Sequence, residues 1–135
     1  MNFAVNLWSV VLAVVASSVV MAIWYGPLFG KQWMVLMGFD DSHKAEMKKR
    51  MGKAWGIAIV SAFVEAYVLA QLLQLANLTD ASGAIQFTFM LWLGFVAAIG
   101  TSEVSWEGKS WKLYGINVGY CLVSMLVMSL VLLWK

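Results

Sequence analysis

Apolar residues are concentrated in four long stretches that short polar segments separate. The stretches cover residues 3–25, 54–78, 84–106 and 110–134. A helix of about 20 apolar residues is long enough to cross the ~30 Å hydrocarbon core of a bilayer, and each stretch exceeds that length. The pattern therefore predicts an all-α fold, a membrane four-helix bundle that forms a single transmembrane domain over residues 1–135.

The segment between the first two stretches has a different pattern. We expect Gly26-Pro27 to end the first span, because proline lacks a backbone donor and disfavours helical geometry in the residue before it. Residues 28–38 are too few to cross a bilayer and mix apolar side chains with Lys31, which predicts a short interfacial helix. Residues 40–53 predict a basic juxtamembrane helix.

That basic helix carries most of the charge in the chain. A solvated loop that sets the topology is the simplest interpretation, and contact with anionic lipid headgroups is an extension at about 1 kcal/mol per basic residue. Nucleic-acid binding is not expected from one short helix without a recognition motif. The candidate headgroup-binding residues are Lys44, Lys48, Lys49, Arg50 and Lys53.

The composition agrees with a membrane protein. The chain is 62% hydrophobic and only 12% charged, whereas soluble domains are about 45–50% apolar and about 25% charged. With one cysteine and one histidine, the chain cannot form an internal disulfide or a multi-histidine metal site, and a catalytic Cys–His pair is not expected because Cys121 lies in an apolar run and His43 in a charged loop. We therefore expect no metal and no cofactor.

The distribution of basic residues predicts the orientation. Residues 26–53 contain six lysines and arginines, and Lys109 and Lys112 follow the third span, whereas Lys135 is the one basic side chain on the opposite side. Cytoplasmic loops of membrane proteins are enriched in lysine and arginine. We therefore predict that loops 26–53 and 107–109 are cytoplasmic and that both termini lie on the non-cytoplasmic side.

The second stretch combines a row of small residues with one ionisable residue. Glu65 lies eleven residues after Ala54, about 16 Å into the hydrocarbon layer. Lipid offers a carboxyl group no partner, so Glu65 must face protein or water. Candidate partners are Ser61, Asn117 and Tyr120. The small residues recur at every fourth position, where a second helix can approach closely: Ala54, Ala58, Ala62, Ala66 and Ala70.

The polar residues within the spans allow several interpretations. Glu65 could be a proton or cation site, a counter-ion for a substrate, or a neutral acid that is hydrogen-bonded inside the bundle. Glu103 and Glu107 form a secondary, interfacial candidate, because paired carboxylates can serve acid–base chemistry or bind a divalent ion. Simple charge balance with Lys109 and Lys112 is the plainer interpretation of that pair.

Three segments carry a family resemblance. Residues 24–34, with the sequence WYGPLFGKQWM, and residues 107–111 and 116–120 resemble the signatures of an uncharacterised bacterial family of small four-helix membrane proteins. That family is known only as a domain of unknown function, and the resemblance covers essentially the whole chain. It implies a four-span protein of the bacterial inner (plasma) membrane without an established activity.

Two classes of function remain open, and an enzyme ranks below both because no catalytic residues can be assigned. The first class is a homo-oligomeric permease or channel-like protein that moves a small ion or molecule by means of Glu65. It resembles the small multidrug resistance transporters in size, span count and lone membrane glutamate, but those proteins carry the glutamate in span one. The second class is a structural or accessory membrane protein that contacts partners or anionic lipid through its basic loop.

Overall fold

The protein is all-α. The structure, a computed structural model, describes residues 5–39 and 41–134, without the side chains of residues 41, 44 and 134. That part of the chain contains no strand, and its helices are α1 (Leu7–Ile23), α2 (Gly30–Leu36), α3 (Lys44–Leu75), α4 (Ala81–Trp92), α5 (Ala98–Gly100), α6 (Ser102–Ser105) and α7 (Trp111–Trp134). π-helical turns follow α1 at Trp24–Leu28 and α4 at Leu93–Ala97, and a 3₁₀ turn at Asp41–His43 precedes α3.

Four helical segments are long and apolar enough to cross a membrane. They are Leu7–Leu28, Ala45–Leu75, Ala81–Ser105 and Trp111–Leu133, with mean hydropathies between 1.7 and 2.2. The predicted all-α fold with four candidate membrane spans is therefore confirmed. The short helix α2 occupies most of segment 28–38, and its place at the membrane interface stays a prediction.

The basic segment is not a separate helix. Residues 44–53 form the first turns of α3, which continues to Leu75 because no proline interrupts it. At 1.5 Å per residue, the 32 residues of α3 extend for ~48 Å, well beyond the ~30 Å of hydrocarbon. The side chain of Lys44 lies outside the described part of the chain. The other four candidate headgroup-binding side chains are exposed, as a solvated helix end requires: Lys48, Lys49, Arg50 and Lys53.

The first span continues through Gly26-Pro27 instead of ending there. Pro27 cannot donate a hydrogen bond, and its ring would clash with the carbonyl four residues earlier in a regular α-helix. The helix instead widens into a π-helical turn, in which the Phe29 amide donates to the Trp24 carbonyl at 2.9 Å. The span is therefore longer at this end than the proline rule predicts.

Helix α7 is the helix that the other spans share. It packs against α1 and α4 and, over a shorter stretch, against α3, while α1 also packs on α3. The helices α3 and α4 follow each other in the chain but make few contacts with each other. A groove remains between them, with Met125 of α7 in its lining.

Small side chains let α1 approach its neighbours closely. Ser17 of α1 and Ser124 of α7 are both buried, and their hydroxyl oxygens are hydrogen-bonded at 2.7 Å. The alanine ridge of α3 is buried over its second half, whereas Ala54 is exposed. The small residues buried on α1 and α3 are Ser9, Ala13, Ser17, Ala62, Ala66 and Ala70.

Two tryptophans attach the neighbouring spans to α7. The Trp24 indole N–H donates to the Ile116 carbonyl at 2.9 Å, and the Trp92 indole N–H donates to the Val118 carbonyl at 2.8 Å. Trp24 is the first residue of the π-helical turn that follows α1, and Trp92 directly precedes the π-helical turn that follows α4. Within a bilayer these bonds matter because lipid cannot replace them.

Gly119 is required by the position of the Trp24 ring. A Cβ on Gly119 would lie 3.1 Å from a ring carbon of Trp24, and the ring cannot retreat easily because the Ile116 carbonyl holds its N–H. We expect Gly119→Ala to lower the free energy of unfolding by ~1–3 kcal/mol, as measured by denaturant-induced unfolding in detergent micelles.

Gly115→Ala is the matched control on the same helix, since a Cβ at Gly115 would meet no atom within 4 Å. It should leave stability unchanged or raise it by up to ~1 kcal/mol, because alanine loses less backbone entropy on folding than glycine. Equal effects of the two substitutions would contradict the close contact between Trp24 and Gly119.

Candidate functional site

The wide turn after α1 brings two adjacent aromatic residues to α7. The Trp24 indole N–H donates to the Ile116 carbonyl. The hydroxyl of the next residue, Tyr25, donates to the Asn117 side-chain oxygen at 2.8 Å. The Tyr25 ring also contacts the Tyr120 ring, with centroids 5.3 Å apart. Two predicted site residues, Asn117 and Tyr120, are therefore brought together around Tyr25.

Glu103 joins this group from α6. Its carboxyl group is within electrostatic range of Tyr25 and of Cys121. One of its carboxylate oxygens, Oε2, is buried and has no hydrogen-bond partner among the described residues. A buried oxygen of this kind is unfavourable unless a proton or a cation accompanies it. We refer to Tyr25, Glu103, Asn117, Tyr120 and Cys121 as the polar cluster.

Glu65 of α3 lies outside the polar cluster, in the groove between α3 and α4. The half-buried Cys121 thiol lies within electrostatic range of the Glu65 carboxyl as well as of the Glu103 carboxyl. This electrostatic interaction with Cys121 is what Glu65 and Glu103, which lie on different helices, have in common.

The Glu65 side chain is exposed in the single chain. It lines the groove between α3 and α4, which has a volume of about 430 Å³. No hydrogen bond to the Glu65 carboxyl is found within residues 5–39 and 41–134. The chain alone therefore neither pairs nor encloses this carboxyl group. The other groove residues are all apolar: Val68, Leu69, Leu72, Leu91, Phe95, Val96 and Met125.

Two other predicted site residues lie apart from the cluster. Ser61 is one turn before Glu65 on α3, but it is exposed and does not line the groove. Glu107 is exposed and forms an ion pair with Lys109, with 3.8 Å between oxygen and nitrogen. Exposed pairs of this kind contribute little to stability. The structure therefore separates Glu103, which is in the cluster, from Glu107, which is in solvent.

The polar cluster opens onto a cavity at one end of the bundle. Tyr25 and Asn117 line this cavity together with Lys31 and Lys109, and its volume is about 640 Å³. We call this end the basic end, because it contains the lysines and arginines of segments 26–53 and 107–109. The cluster is thereby connected to the exterior of the bundle.

Further polar side chains are buried elsewhere in the bundle. Gln71 of α3 is 6% exposed and Thr88 of α4 is fully buried. The Gln71 amide and the Thr88 hydroxyl have no hydrogen-bond partner in the described part of the chain. At the end opposite the basic end, Asn6 and Ser9 line a second cavity of about 390 Å³. Polar groups thus occur at several depths between the two ends.

The cluster does not have the composition of a metal centre. Among the described residues, no group of three or more histidine, cysteine, aspartate or glutamate side chains lies close together. Its groups are instead a thiol, two phenols, an amide and the Glu103 carboxyl. This set suits the transfer of a proton or the weak binding of a small cation.

The sequence alone does not identify Tyr25, Cys121 or Gln71 as site residues. Tyr25 lies two residues before Pro27, in the most distinctive motif of the chain. Its place in that motif is the one sequence feature that could have indicated a functional role. Gln71 is an uncharged polar residue in a strongly apolar span, and its burial depends on which face of α3 meets the bundle. The electrostatic interaction of Glu65 and Glu103 with Cys121 depends on how the spans are arranged around α7, which hydropathy does not specify.

Comparison with known proteins gives one match. The family described as a protein of unknown function (DUF1761) matches residues 8–133, which include the whole polar cluster. No curated protein and no solved structure matches the chain. The expectation of an uncharacterised family is confirmed, and the chain belongs to the DUF1761 family of proteins of unknown function.

Proposed function

We propose that the protein is a small permease or channel-like protein that moves protons or a small cation across the membrane, with Glu65 as its central site. The single observation that carries this proposal is the position of Glu65, an ionisable residue in the middle of a long apolar helix, in a groove that is otherwise lined by apolar side chains. Ionisable groups inside a membrane are unfavourable to keep, and they commonly mark ion or proton pathways.

The polar cluster supplies the groups that such a pathway needs. Carboxylate and hydroxyl oxygens accept protons and bind small cations. The Tyr25 hydroxyl donates a hydrogen bond to Asn117 and lies within electrostatic range of the Glu103 carboxyl. From Asn117 the route leads into the cavity at the basic end. In the predicted orientation this end faces the cytoplasm of a bacterial cell, so Glu65 exchanges its proton or cation with the cytoplasmic solution.

The buried polar groups nearer the opposite end support a continuation of the route. Gln71 and Thr88 are already removed from solvent, and their polar side-chain atoms have no hydrogen-bond partner among the described residues. A water molecule or an ion that passes them gains hydrogen bonds that the protein does not otherwise use. Beyond them, the cavity that Asn6 and Ser9 line provides the second opening.

The exposure of Glu65 supports a homo-oligomer as the working form. A carboxyl group that faces lipid near the bilayer centre is unfavourable by on the order of 3 kcal/mol. The apolar residues around it, among them Val68 and Phe95, offer contact area to another chain. A second copy that covers this groove removes Glu65 from lipid and encloses the site between the two copies.

Glu65→Gln preserves the shape of the side chain but removes its charge and its ability to release a proton. In proteoliposomes with an imposed gradient of protons, sodium or potassium, we expect the substitution to reduce flux to the level of protein-free vesicles. Glu103→Gln should reduce the same flux, because Glu103 presents a buried carboxyl oxygen that has no hydrogen-bond partner among the described residues.

Glu107→Gln is the matched control, since Glu107 is an exposed carboxyl group at the basic end outside the cluster. It should leave flux unchanged. Circular dichroism and size-exclusion chromatography must show that all variants are folded. If Glu65→Gln transports normally, or if Glu107→Gln loses as much flux, the proposed role of Glu65 is wrong.

The proposed contact between copies can be measured by cross-linking. In a Cys121→Ser background, Val68→Cys places a thiol in the groove beside Glu65. We expect mild oxidation of native membranes to give a disulfide-linked dimer, because a symmetric interface brings the two grooves face to face. Val19→Cys, in a different groove between α1 and α3, is the control and should remain monomeric. Equal cross-linking at both positions would contradict this interface.

The exposed basic turns of α3 favour a second candidate function, that of an accessory membrane protein that contacts anionic lipid. Lys48, Lys49 and Arg50 are all exposed on helical turns that extend beyond the hydrophobic span. In this alternative, replacing the three residues with glutamine reduces the anionic lipid that copurifies with the protein, as counted by native mass spectrometry. Glu65→Gln should then have little effect, and an unchanged lipid count after the triple replacement would refute the alternative.

A further inference from the structure

The cavity at the basic end combines apolar walls with positive charge. It has a volume of about 640 Å³ and lies between α2, the first turns of α3 and the link from α6 to α7. This volume is within the range of roughly 300–1,000 Å³ that is typical of small-molecule sites. The groove beside Glu65 differs from it, because its lining is apolar apart from one carboxyl group.

Methionines form much of the apolar wall of this cavity. A methionine side chain has three rotatable bonds and a polarisable sulfur, so it adapts to irregular apolar shapes. Walls of this kind accept flexible hydrocarbon groups of different lengths. Two of the methionines come from α2 and the residue after it, and two come from α3: Met34, Met37, Met47 and Met51.

Aromatic rings and an amide line the side of the cavity that meets the polar cluster. Tyr25 and Trp33 both line it, and their rings pack edge to face with centroids 6.0 Å apart. Asn117 lines it as well, and its side-chain oxygen accepts the Tyr25 hydroxyl. The amide N–H groups of Asn117 remain as donors for an acceptor on a ligand.

The charged residues that line the cavity are positive. They are Lys31 of α2 and Lys109 of the link before α7, and no described carboxyl group is part of the lining. Glu107 offsets Lys109 only weakly, since the pair is exposed and 3.8 Å apart. Two lysines disfavour a cation, including the soft metal ions that thioether sulfurs bind, and favour an acidic group.

We propose that this cavity binds an amphipathic anion, that is, a molecule with a phosphate or carboxylate head group and a hydrocarbon body. Lys31 and Lys109 hold the head group, and the methionine wall receives the body. The anion is either a membrane phospholipid or a dissolved amphiphile, since both present the same chemistry. Binding here does not involve Glu65, so the proposal stands independently of transport.

The test uses the purified chain in nanodiscs of zwitterionic phosphatidylcholine. The probe is pyrenedodecanoate, whose binding is followed by energy transfer from tryptophan to pyrene, relative to empty nanodiscs. A probe with the same tail and a trimethylammonium head group is the comparison. We expect saturable binding of the anionic probe and binding of the cationic probe that is weaker on the order of tenfold.

The double variant Lys31→Gln/Lys109→Gln should weaken binding of the anionic probe by on the order of tenfold or more. The control, Lys112→Gln, removes a positive charge from an exposed position on α7 that does not line the cavity, and its affinity should be nearly unchanged. Glu65→Gln should bind the probe normally even where it loses flux, which separates this proposal from the transport proposal.

Phosphatidylglycerol added to the nanodiscs identifies the source of the anion. Displacement of the probe by this lipid indicates a membrane phospholipid, and undisturbed probe binding indicates a dissolved amphiphile; both outcomes support the site. Equal affinity for the two probes, a loss in Lys112→Gln as large as that in the double variant, or no saturable binding by the unmodified protein would overturn it.

Discussion

Lipid cannot hydrogen-bond, and this constraint decides how the spans of the protein are joined. Every polar group within the bilayer needs a partner from the protein itself. The indoles of Trp24 and Trp92 find carbonyl oxygens on α7, and the hydroxyl groups of Ser17 and Ser124 find each other. Helix α7 is therefore the common partner of its neighbours, and its side chains must be small where the neighbouring helices approach it.

The two π-helical turns follow from the same constraint. The turn at Trp24–Leu28 accommodates Pro27 without ending the helix, and it brings Tyr25 to Asn117. The turn at Leu93–Ala97 changes the bonding pattern of the next span, and the Ala97 carbonyl accepts the Tyr114 hydroxyl of α7. Irregular helical turns of this kind are common at functional sites, and in this protein they surround the half of α7 that carries the polar cluster.

The exceptions to the constraint are informative. Gln71, Thr88 and one oxygen of Glu103 are buried without partners among the described residues, and Glu65 is exposed in an apolar groove. A protein selected for stability alone would replace these groups with apolar ones, since an unsatisfied polar group in a membrane is unfavourable. Their presence in spans that are otherwise well satisfied is the reason to interpret them as a pathway.

Hydropathy predicts the four spans and the all-α fold, because the length of an apolar run and the thickness of a bilayer are directly comparable. It places Glu65 at mid-depth for the same reason. It does not predict that Pro27 is absorbed into a π-helical turn, or that residues 44–53 continue into α3, because both depend on local helix geometry. Tyr25 and Cys121 could not be identified as site residues from the sequence, because their role depends on interactions between spans that are distant in sequence.

The central claim is that Glu65 exchanges protons with the solution from its predicted position at mid-depth in the membrane. Infrared difference spectroscopy of the protein in lipid bilayers tests this directly, since comparison with Glu65→Gln isolates the carboxyl band of Glu65. The account predicts a band whose intensity changes with the pH of the bulk solution, because it proposes a route for protons from Glu65 through the polar cluster to the basic end. A Glu65 band that stays constant at every pH at which the protein is folded would contradict it.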